Sequence, residues 1–150
     1  MTHWTDRHRA LLAVYLVLYG TDGKLLLLRR AHTGYMDGKL GMPSGHADGG
    51  EPADIALTRE AKEEAGIKIK PGDLQLVHTM HRVAEEGGYE YVDFYFKATK
   101  WQGTPQNMEP NKCSELLWAD PRQLPIDLIP VVRQALECIA AGIPYSSANF

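Results

Sequence analysis

Residues 45–67 read GHADGGEPADIALTREAKEEAGI, a glycine-rich loop followed by a segment crowded with acids. Glu63 and Glu64 follow Glu60 by three and four positions, so a helix would place all three carboxylates on one face. Each like-charge pair at that spacing costs roughly 0.2–0.5 kcal/mol in an isolated helix. A divalent cation would remove that cost, whereas a fully solvated acidic face balanced by Lys62 and Lys68 is the alternative.

The loop and the helix together match a spaced pattern, G-x5-E-x7-R-E-U-x-E-E-x-G-U. Every fixed position of this pattern is filled, by Gly45, Glu51, Arg59, Glu60, Glu63, Glu64 and Gly66. Only Ala61 departs from it, where a larger aliphatic residue is usual. The segment therefore resembles the Nudix box, and the resemblance implies a hydrolase that acts on a nucleoside diphosphate linkage.

The resemblance also implies roles for the residues of the box. Glu60, Glu63 and Glu64 correspond to the carboxylates that hold Mg²⁺ in this family, with Mn²⁺ as a possible substitute, and oxygen ligands suit such hard cations. Glu60 is also the first candidate for the general base, although family members differ in which glutamate takes the proton. Arg59 corresponds to the residue that orients these carboxylates, and Ser44 to the one that offers the metal a backbone carbonyl if the loop avoids a positive φ.

Residues outside the box resemble those of the MutT-type nucleoside triphosphate pyrophosphatases. By that resemblance Arg30 faces the substrate, Met42 lines the base pocket and Leu128 lies in a segment that touches the base. Glu109 corresponds to a loop glutamate that approaches the metal. Tyr35 is predicted to stack on a base, with a place at the rim or in the core as its alternative.

The remaining pattern predicts an α/β/α sandwich with a mixed β-sheet, formed by residues 1–150 as one domain. Apolar runs at 11–19 and 25–28 predict two buried strands joined by a tight turn at Asp22-Gly23. Further predicted strands are 39–42, 74–83, 89–98 and 115–119. Helices are expected from Pro52 to Gly66 and over 130–141, with residues 145–150 frayed.

Composition restricts the partners and the location. The formal net charge of −3, with no basic stripe, argues against a nucleic acid polymer as partner and leaves a small phosphorylated molecule. The two cysteines fit free thiols in a reducing compartment. The first ten residues lack the apolar centre of a signal peptide, and residues 11–19 are too few to span a membrane. We therefore expect a cytoplasmic protein, and the family resemblance allows a homodimer.

Three functions stay open from the sequence. The leading one is Mg²⁺-dependent hydrolysis of a nucleoside triphosphate to the monophosphate and pyrophosphate. The second is hydrolysis of ADP-ribose, a nucleotide sugar or a dinucleoside polyphosphate, and the residues typical of those subfamilies are absent beyond the box, where Val83, Ala84 and Glu85 stand. The third is a non-catalytic nucleotide sensor, although such relatives usually lose the acids of the box.

Overall fold

The computed structural model describes residues 3–150. The first two of the ten N-terminal residues, which lack the apolar centre of a signal peptide, lie outside the described range. Two α-helices, eight β-strands and two short 3-10 helices, Trp4–Asp6 and Pro71–Asp73, account for the regular structure of the described chain. The helices are α1 (Ala53–Ala65) and α2 (Pro130–Ala140). The strands are β1 (Leu11–Val17), β2 (Leu25–Arg30), β3 (Leu40–Gly41), β4 (Ser44–His46), β5 (Leu74–Val83), β6 (Glu90–Ala98), β7 (Cys113–Ala119) and β8 (Tyr145–Ala148).

The strands form two sheets. The larger sheet has the order β4-β1-β6-β5-β8 and is mixed, because β1 runs parallel to β6 and β8 runs parallel to β5 while the other pairs are antiparallel. The smaller sheet has the order β3-β2-β7 and is antiparallel. The predicted mixed sheet is thus confirmed.

Each helix covers a different side of the strands. One hydrophobic core contains the apolar face of α2 together with Val17, Met80 and Tyr95. The other contains the apolar face of α1 together with Val14 and Leu16. Alternate residues of the strands therefore enter opposite cores, as the period of two requires, and the layers form the predicted α/β/α sandwich.

The two predicted buried strands and the tight turn between them are present, but β1 and β2 pair with each other only beside the turn. Tyr19 and Leu25 form an antiparallel bridge, and the Gly20 N–H bonds to the Lys24 carbonyl at 2.8 Å. Past this point the two strands separate, since β1 continues into the larger sheet and β2 into the smaller one. This separation opens the space between the sheets where the functional site lies.

Two short strands were not predicted. The sequence predicts a loop at residues 44–46, but they form β4, in which Ser44 pairs with Tyr15. The segment expected to be frayed instead contains β8, which pairs with β5 from Thr79 to Arg82. Within residues 3–150 no helix is long and apolar enough to cross a membrane.

Candidate active site

The acidic helix lies against strand β4, and a glycine makes this contact possible. A Cβ atom on Gly45 would stand 2.1 Å from Cδ of Glu60, far closer than van der Waals contact allows. Gly45 pairs with Val14 of β1, so the side chain of Glu60, rather than the paired strand, would have to move. The first glycine of the box is therefore required by the space that the Glu60 carboxylate occupies.

Arg59 holds the acids of the box in place. Its Nε and Nη2 donate to the two oxygens of Glu51, each at 3.0 Å, and this bidentate pairing fixes the plane of the guanidinium. Its Nη1 donates to Glu60 Oε1 at 2.9 Å and reaches Glu63 Oε2 at 3.4 Å. Nη2 also donates to the His46 carbonyl at 3.1 Å, which ties α1 to β4.

Glu64 is the most deeply placed acid of the helix. The Ser44 backbone N–H donates to its Oε2 at 2.9 Å, and Ser44 lies in the extended strand β4, so the strained φ considered for it does not arise. Burial raises the pKa of Glu64 to about 8, against the effect of the Ser44 bond, and the charges of Glu60 and Glu109 add to the rise. The surroundings of Glu64 thus disfavour its charged form unless a cation compensates it.

Glu109 reaches this region because its loop is bound to the end of α1. The Gln106 N–H donates to the Ala65 carbonyl at 2.9 Å, and the Met108 N–H donates to the Glu64 carbonyl at 3.2 Å. Asn107 stabilises the loop further, because its side chain accepts from the Glu109 N–H at 3.2 Å. These bonds bring a carboxylate from 45 positions along the chain next to Glu64.

The carboxylates fit a divalent cation by their chemistry. All the side-chain donors are oxygens, which Mg²⁺ prefers, and burial together with neighbouring acids raises the pKa of both Glu60 and Glu64. A bound cation would offset this repulsion. Across the described residues no three acidic, histidine or cysteine side chains converge tightly enough to form a complete metal site.

A cavity of about 570 Å³ extends from these acids between the two sheets, within the range usual for small-molecule sites. Glu64, Ser44, Gly45, Glu109 and Lys112 line its acidic end. The other end is lined mainly by aromatic and charged side chains. These are Tyr15, Tyr35, Arg82, Glu85, Glu86 and Tyr91.

Comparison with known proteins identifies this arrangement. The sequence model of the NUDIX domain matches residues 9–139, most of the chain. The chain belongs to the NUDIX family. It is accordingly a hydrolase that acts on pyrophosphate linkages, and enzymes of this family use a divalent metal ion.

Individual relatives belong to the MutT branch. The 8-oxo-dGTP diphosphatase of Escherichia coli (strain K12) is 26% identical over 98 residues, which cover 62% of this chain and 69% of that protein. The crystal structure of a MutT NUDIX hydrolase from Burkholderia pseudomallei has a TM-score of 0.77 and 28% identity, covering 87% of this chain and 98% of the other. The MutT protein from Methanosarcina mazei Go1 shares the fold with a TM-score of 0.75, at 21% identity over 88% of this chain and 94% of that one.

Two of the residues predicted to contact substrate line the cavity of this NUDIX domain. Arg30 donates from Nε to the Tyr35 carbonyl at 2.8 Å, and its guanidinium lies 5.2 Å from the centre of the Tyr35 ring. The Tyr35 hydroxyl donates to Glu85 Oε2 at 2.8 Å. This contact links the loop after β2 to the turn after β5 across the cavity.

The other two predicted contacts lie elsewhere. Met42 is 2% exposed and Leu128 is 4% exposed, and both are packed in the core beneath α2. Neither contributes to the cavity wall, because the bridge between Leu40 and Leu128 directs this segment into the core. Both residues thus lie in the core and outside the cavity wall, and their contact with the base stays a prediction.

Sequence reasoning missed a charged group at the inner end of the cavity. Arg82 and Asp93 are both buried, on the adjacent strands β5 and β6. The sequence did contain an indication, because Arg82 continues an alternating row with His78 and Met80, and Asp93 is the one charge in the aromatic run Tyr91–Phe96. A charge at a buried position of a strand indicates an ion pair or a ligand.

Proposed function

We propose that this NUDIX hydrolase cleaves nucleoside triphosphates to nucleoside monophosphates and pyrophosphate, with Mg²⁺ as the preferred ion and Mn²⁺ as a substitute. The observation that supports this proposal is the cavity itself, which joins Glu64 and Glu109, beside the other acids of α1, to three tyrosines and a buried arginine. A triphosphate group matches the first end and a nucleoside the second. Its partner is thus a small nucleotide.

In this proposal Glu60, Glu63, Glu64 and Glu109, with the Ser44 carbonyl, hold the ion. A divalent cation bound there withdraws charge from phosphate oxygens and makes water easier to deprotonate. Glu60 is the proposed general base, because Arg59 orients its carboxylate and burial raises its pKa toward the working range of a base.

The proposed reaction is a simple hydrolysis. The oxygen of water attacks phosphorus, the general base takes the proton, and the bond from phosphorus to the bridging oxygen breaks so that pyrophosphate leaves. Arg30 and Lys112, the cations that line the cavity near the acids, are suited to neutralise phosphate charge. Tyr35 is the proposed aromatic contact of the nucleoside. We also propose one domain over residues 1–150, supported by the match over 9–139, and keep a cytoplasmic location and a homodimer as predictions.

The deciding experiment is turnover of a panel of nucleoside triphosphates, nucleotide sugars and dinucleoside polyphosphates with Mg²⁺ and product identification. We expect pyrophosphate rather than phosphate from the triphosphates, loss of turnover on chelation, and recovery with Mg²⁺ or Mn²⁺. Glu60→Gln should reduce kcat by about 100-fold or more. Unchanged turnover in Glu63→Gln and Glu64→Gln at saturating Mg²⁺ would contradict the metal assignment, and no turnover of any triphosphate would reject the substrate class.

One observation favours the second candidate, a substrate with a group on each side of the pyrophosphate. A shallower groove of about 490 Å³ adjoins the cavity and shares His46, Glu86 and Tyr91 with it. Leu11, Leu12 and Tyr89 line the groove. A nucleotide sugar or dinucleoside polyphosphate could place its second half there, and the same panel compares the two classes directly.

A further inference from the structure

A buried ion pair lies at the wall of the cavity, which Arg82 lines. Arg82 is 5% exposed, Asp93 is fully buried, and Arg82 Nε donates to Asp93 Oδ2 at 2.5 Å. The second carboxylate oxygen, Asp93 Oδ1, is buried and has no hydrogen-bond partner within residues 3–150. Removing such a pair from water costs as much as its attraction returns in many proteins, so fold stability alone is a weak reason for its presence.

The guanidinium of Arg82 is fixed from three sides. Asp93 holds Nε, Nη2 donates to the Tyr15 hydroxyl at 3.4 Å, and the guanidinium carbon lies 4.2 Å from the centre of the Tyr91 ring. Nη1 is 3.8 Å from Glu85 Oε2, beyond hydrogen-bond distance. A guanidinium has five N–H groups, so after these contacts it retains donors for a ligand in the cavity that it lines.

Arg82 lines the part of the cavity that also contains Tyr15, Glu85 and Tyr91. Its electrostatic partners are Asp93, Tyr15 and Tyr35. The charged neighbours of Glu64, by contrast, are Glu60, Glu109 and Arg30. A phosphate chain at Glu64 and Glu109 would therefore meet Arg30, and in the proposed function the nucleoside lies among the tyrosines that surround Arg82.

The surroundings of Arg82 suit a flat heteroaromatic ring. Tyr15, Tyr35 and Tyr91 line this end of the cavity, and aromatic rings stack on nucleobases. A fixed guanidinium donates in its own plane to carbonyl oxygens and ring nitrogens on the edge of a base. The glutamate that faces it, Glu85, supplies an acceptor for amino or imino hydrogens.

We propose that Arg82 binds the nucleobase of the substrate and that Asp93 is the residue that positions it. The inference rests on the proposed function, because it requires a nucleotide in the cavity. Arg82 then determines how strongly the enzyme prefers one base over another, while the acids at the other end act on every triphosphate alike.

Kinetics of the full chain test this role. We compare KM and kcat for ATP, GTP, CTP and UTP between the wild type, Arg82→Lys and Asp93→Asn. Lysine keeps the charge but loses the planar donor fork, so KM for the preferred base should rise about tenfold or more with a smaller change in kcat. The differences in kcat/KM among the four bases should shrink, and Asp93→Asn should change them in the same direction.

Binding of the two products separates base recognition from phosphate recognition. Calorimetry should show that Arg82→Lys weakens binding of the nucleoside monophosphate and leaves binding of pyrophosphate unchanged. Equal weakening of both would overturn the proposal in favour of a phosphate contact. Unchanged binding of both would also overturn it, since the pair would then be structural only.

Two further variants control for folding. Arg82→Met combined with Asp93→Asn removes both charges, so that neither is left alone in the interior, and this variant should unfold cooperatively but lose base preference. Full base preference in it would overturn the proposal. Arg29→Lys is the matched control, because Arg29 pairs with Asp127 at 2.6 Å outside the cavity and its change should leave base preference intact.

The outcome for the proposed function is distinguishable from the outcome for Arg82. If the wild type hydrolyses none of the triphosphates, the proposed function fails. The role of Arg82 is then decided by whether Arg82→Lys weakens binding of the nucleoside monophosphate more than binding of pyrophosphate. If triphosphates are hydrolysed but base preference and monophosphate binding survive Arg82→Lys, the proposed function stands and the inference about Arg82 is rejected.

Discussion

Arg59 and Glu51 form a bidentate pair, in which two guanidinium nitrogens donate to the two carboxylate oxygens at 3.0 Å each. The pair joins the loop before α1 to the helix itself, eight positions later in the chain. It also leaves Nη1 of Arg59 to hold Glu60. A residue that contacts no substrate in our proposal thereby determines the orientation of the acids that do the chemistry.

Loss of the bidentate pair of Arg59 and Glu51 should weaken catalysis without unfolding the protein. We expect Arg59→Lys and Glu51→Gln to lower kcat/KM by roughly 10–100-fold and to raise the Mg²⁺ concentration needed for half-maximal activity, because partners of metal-binding carboxylates have effects of that size. Metal titrations of steady-state rates are the measurement.

The control for this prediction is Arg122→Lys. Arg122 forms a similar pair with Asp120 at 3.2 Å, but its side chain is 89% exposed and lies outside the cavity. Its change should alter neither rate nor metal dependence. If Glu51→Gln behaved like this control, the orienting role of Arg59 would have to be abandoned.

Gly45→Ala should displace Glu60. The added methyl group would stand 2.1 Å from Glu60 Cδ, and because Gly45 is paired with Val14 the Glu60 side chain is the group that has to move. We expect a loss of activity on the order of 100-fold from the misplaced carboxylate and a cost of about 1–3 kcal/mol in unfolding free energy from overpacking.

Chemical denaturation and initial rates measure the two effects of Gly45→Ala. Gly49→Ala is the matched control in the same loop, since a Cβ there would meet no atom within 4 Å. A Gly45→Ala enzyme with wild-type rates would show that Glu60 can move without harm, which would also remove it as the proposed general base.

The sequence allowed prediction of the elements whose cause is local. The predicted strand 74–83 matches β5, and α1 begins one residue after Pro52 and ends where Gly66 adopts φ 69°. The sequence does not predict strands β4 and β8, because Gly45 and the serines of 145–148 have little strand propensity of their own. Their hydrogen bonds come from β1 and β5, which are distant in sequence.

The same distinction separates the two ends of the site. The acids of α1 could be predicted because their spacing of three and four places them together on any helix. Arg82 and Asp93 meet only through the register of β5 and β6, where Asp93 pairs with Met80, two residues before Arg82. Met42 and Leu128 were placed beside the base by resemblance alone, and the packing beneath α2 removes them from the cavity.

Gly66→Ala should loosen the C-terminal end of α1. Gly66 has φ 69°, a left-handed conformation that costs other residues about 1–2 kcal/mol, and a Cβ there would meet the Met108 sulfur at 3.1 Å. Because Met108 precedes Glu109, we expect lower unfolding free energy together with reduced activity. Thermal unfolding and initial rates should both respond, whereas Gly72→Ala, at an open position without positive φ, should leave both near wild type.

Asp37 should set the position of Tyr35 through the loop that follows β2. Its carboxylate accepts from the Thr33 hydroxyl at 2.6 Å, the Thr33 N–H at 3.0 Å and the Gly34 N–H at 2.9 Å. These bonds hold the pKa of Asp37 below its ordinary value, the Thr33 hydroxyl contributing most. Asp37→Ala should therefore raise KM more than it lowers kcat, because Tyr35 is a proposed nucleoside contact and the acids of α1 remain in place.

The lowered pKa of Asp37 also predicts the direction of a pH effect. A carboxyl with a lower pKa in the folded state stabilises the protein above its unfolded pKa, and this contribution is lost as the pH falls through the folded value. On acidification below about pH 4, the melting temperature of the wild type should fall further than that of Asp37→Ala. Asp22→Ala, in the turn between β1 and β2, is the control for KM, since Asp22 contacts the Lys24 N–H at 3.1 Å outside the cavity. Equal KM values for Asp37→Ala and the wild type would show that the Tyr35 loop keeps its position without this carboxylate.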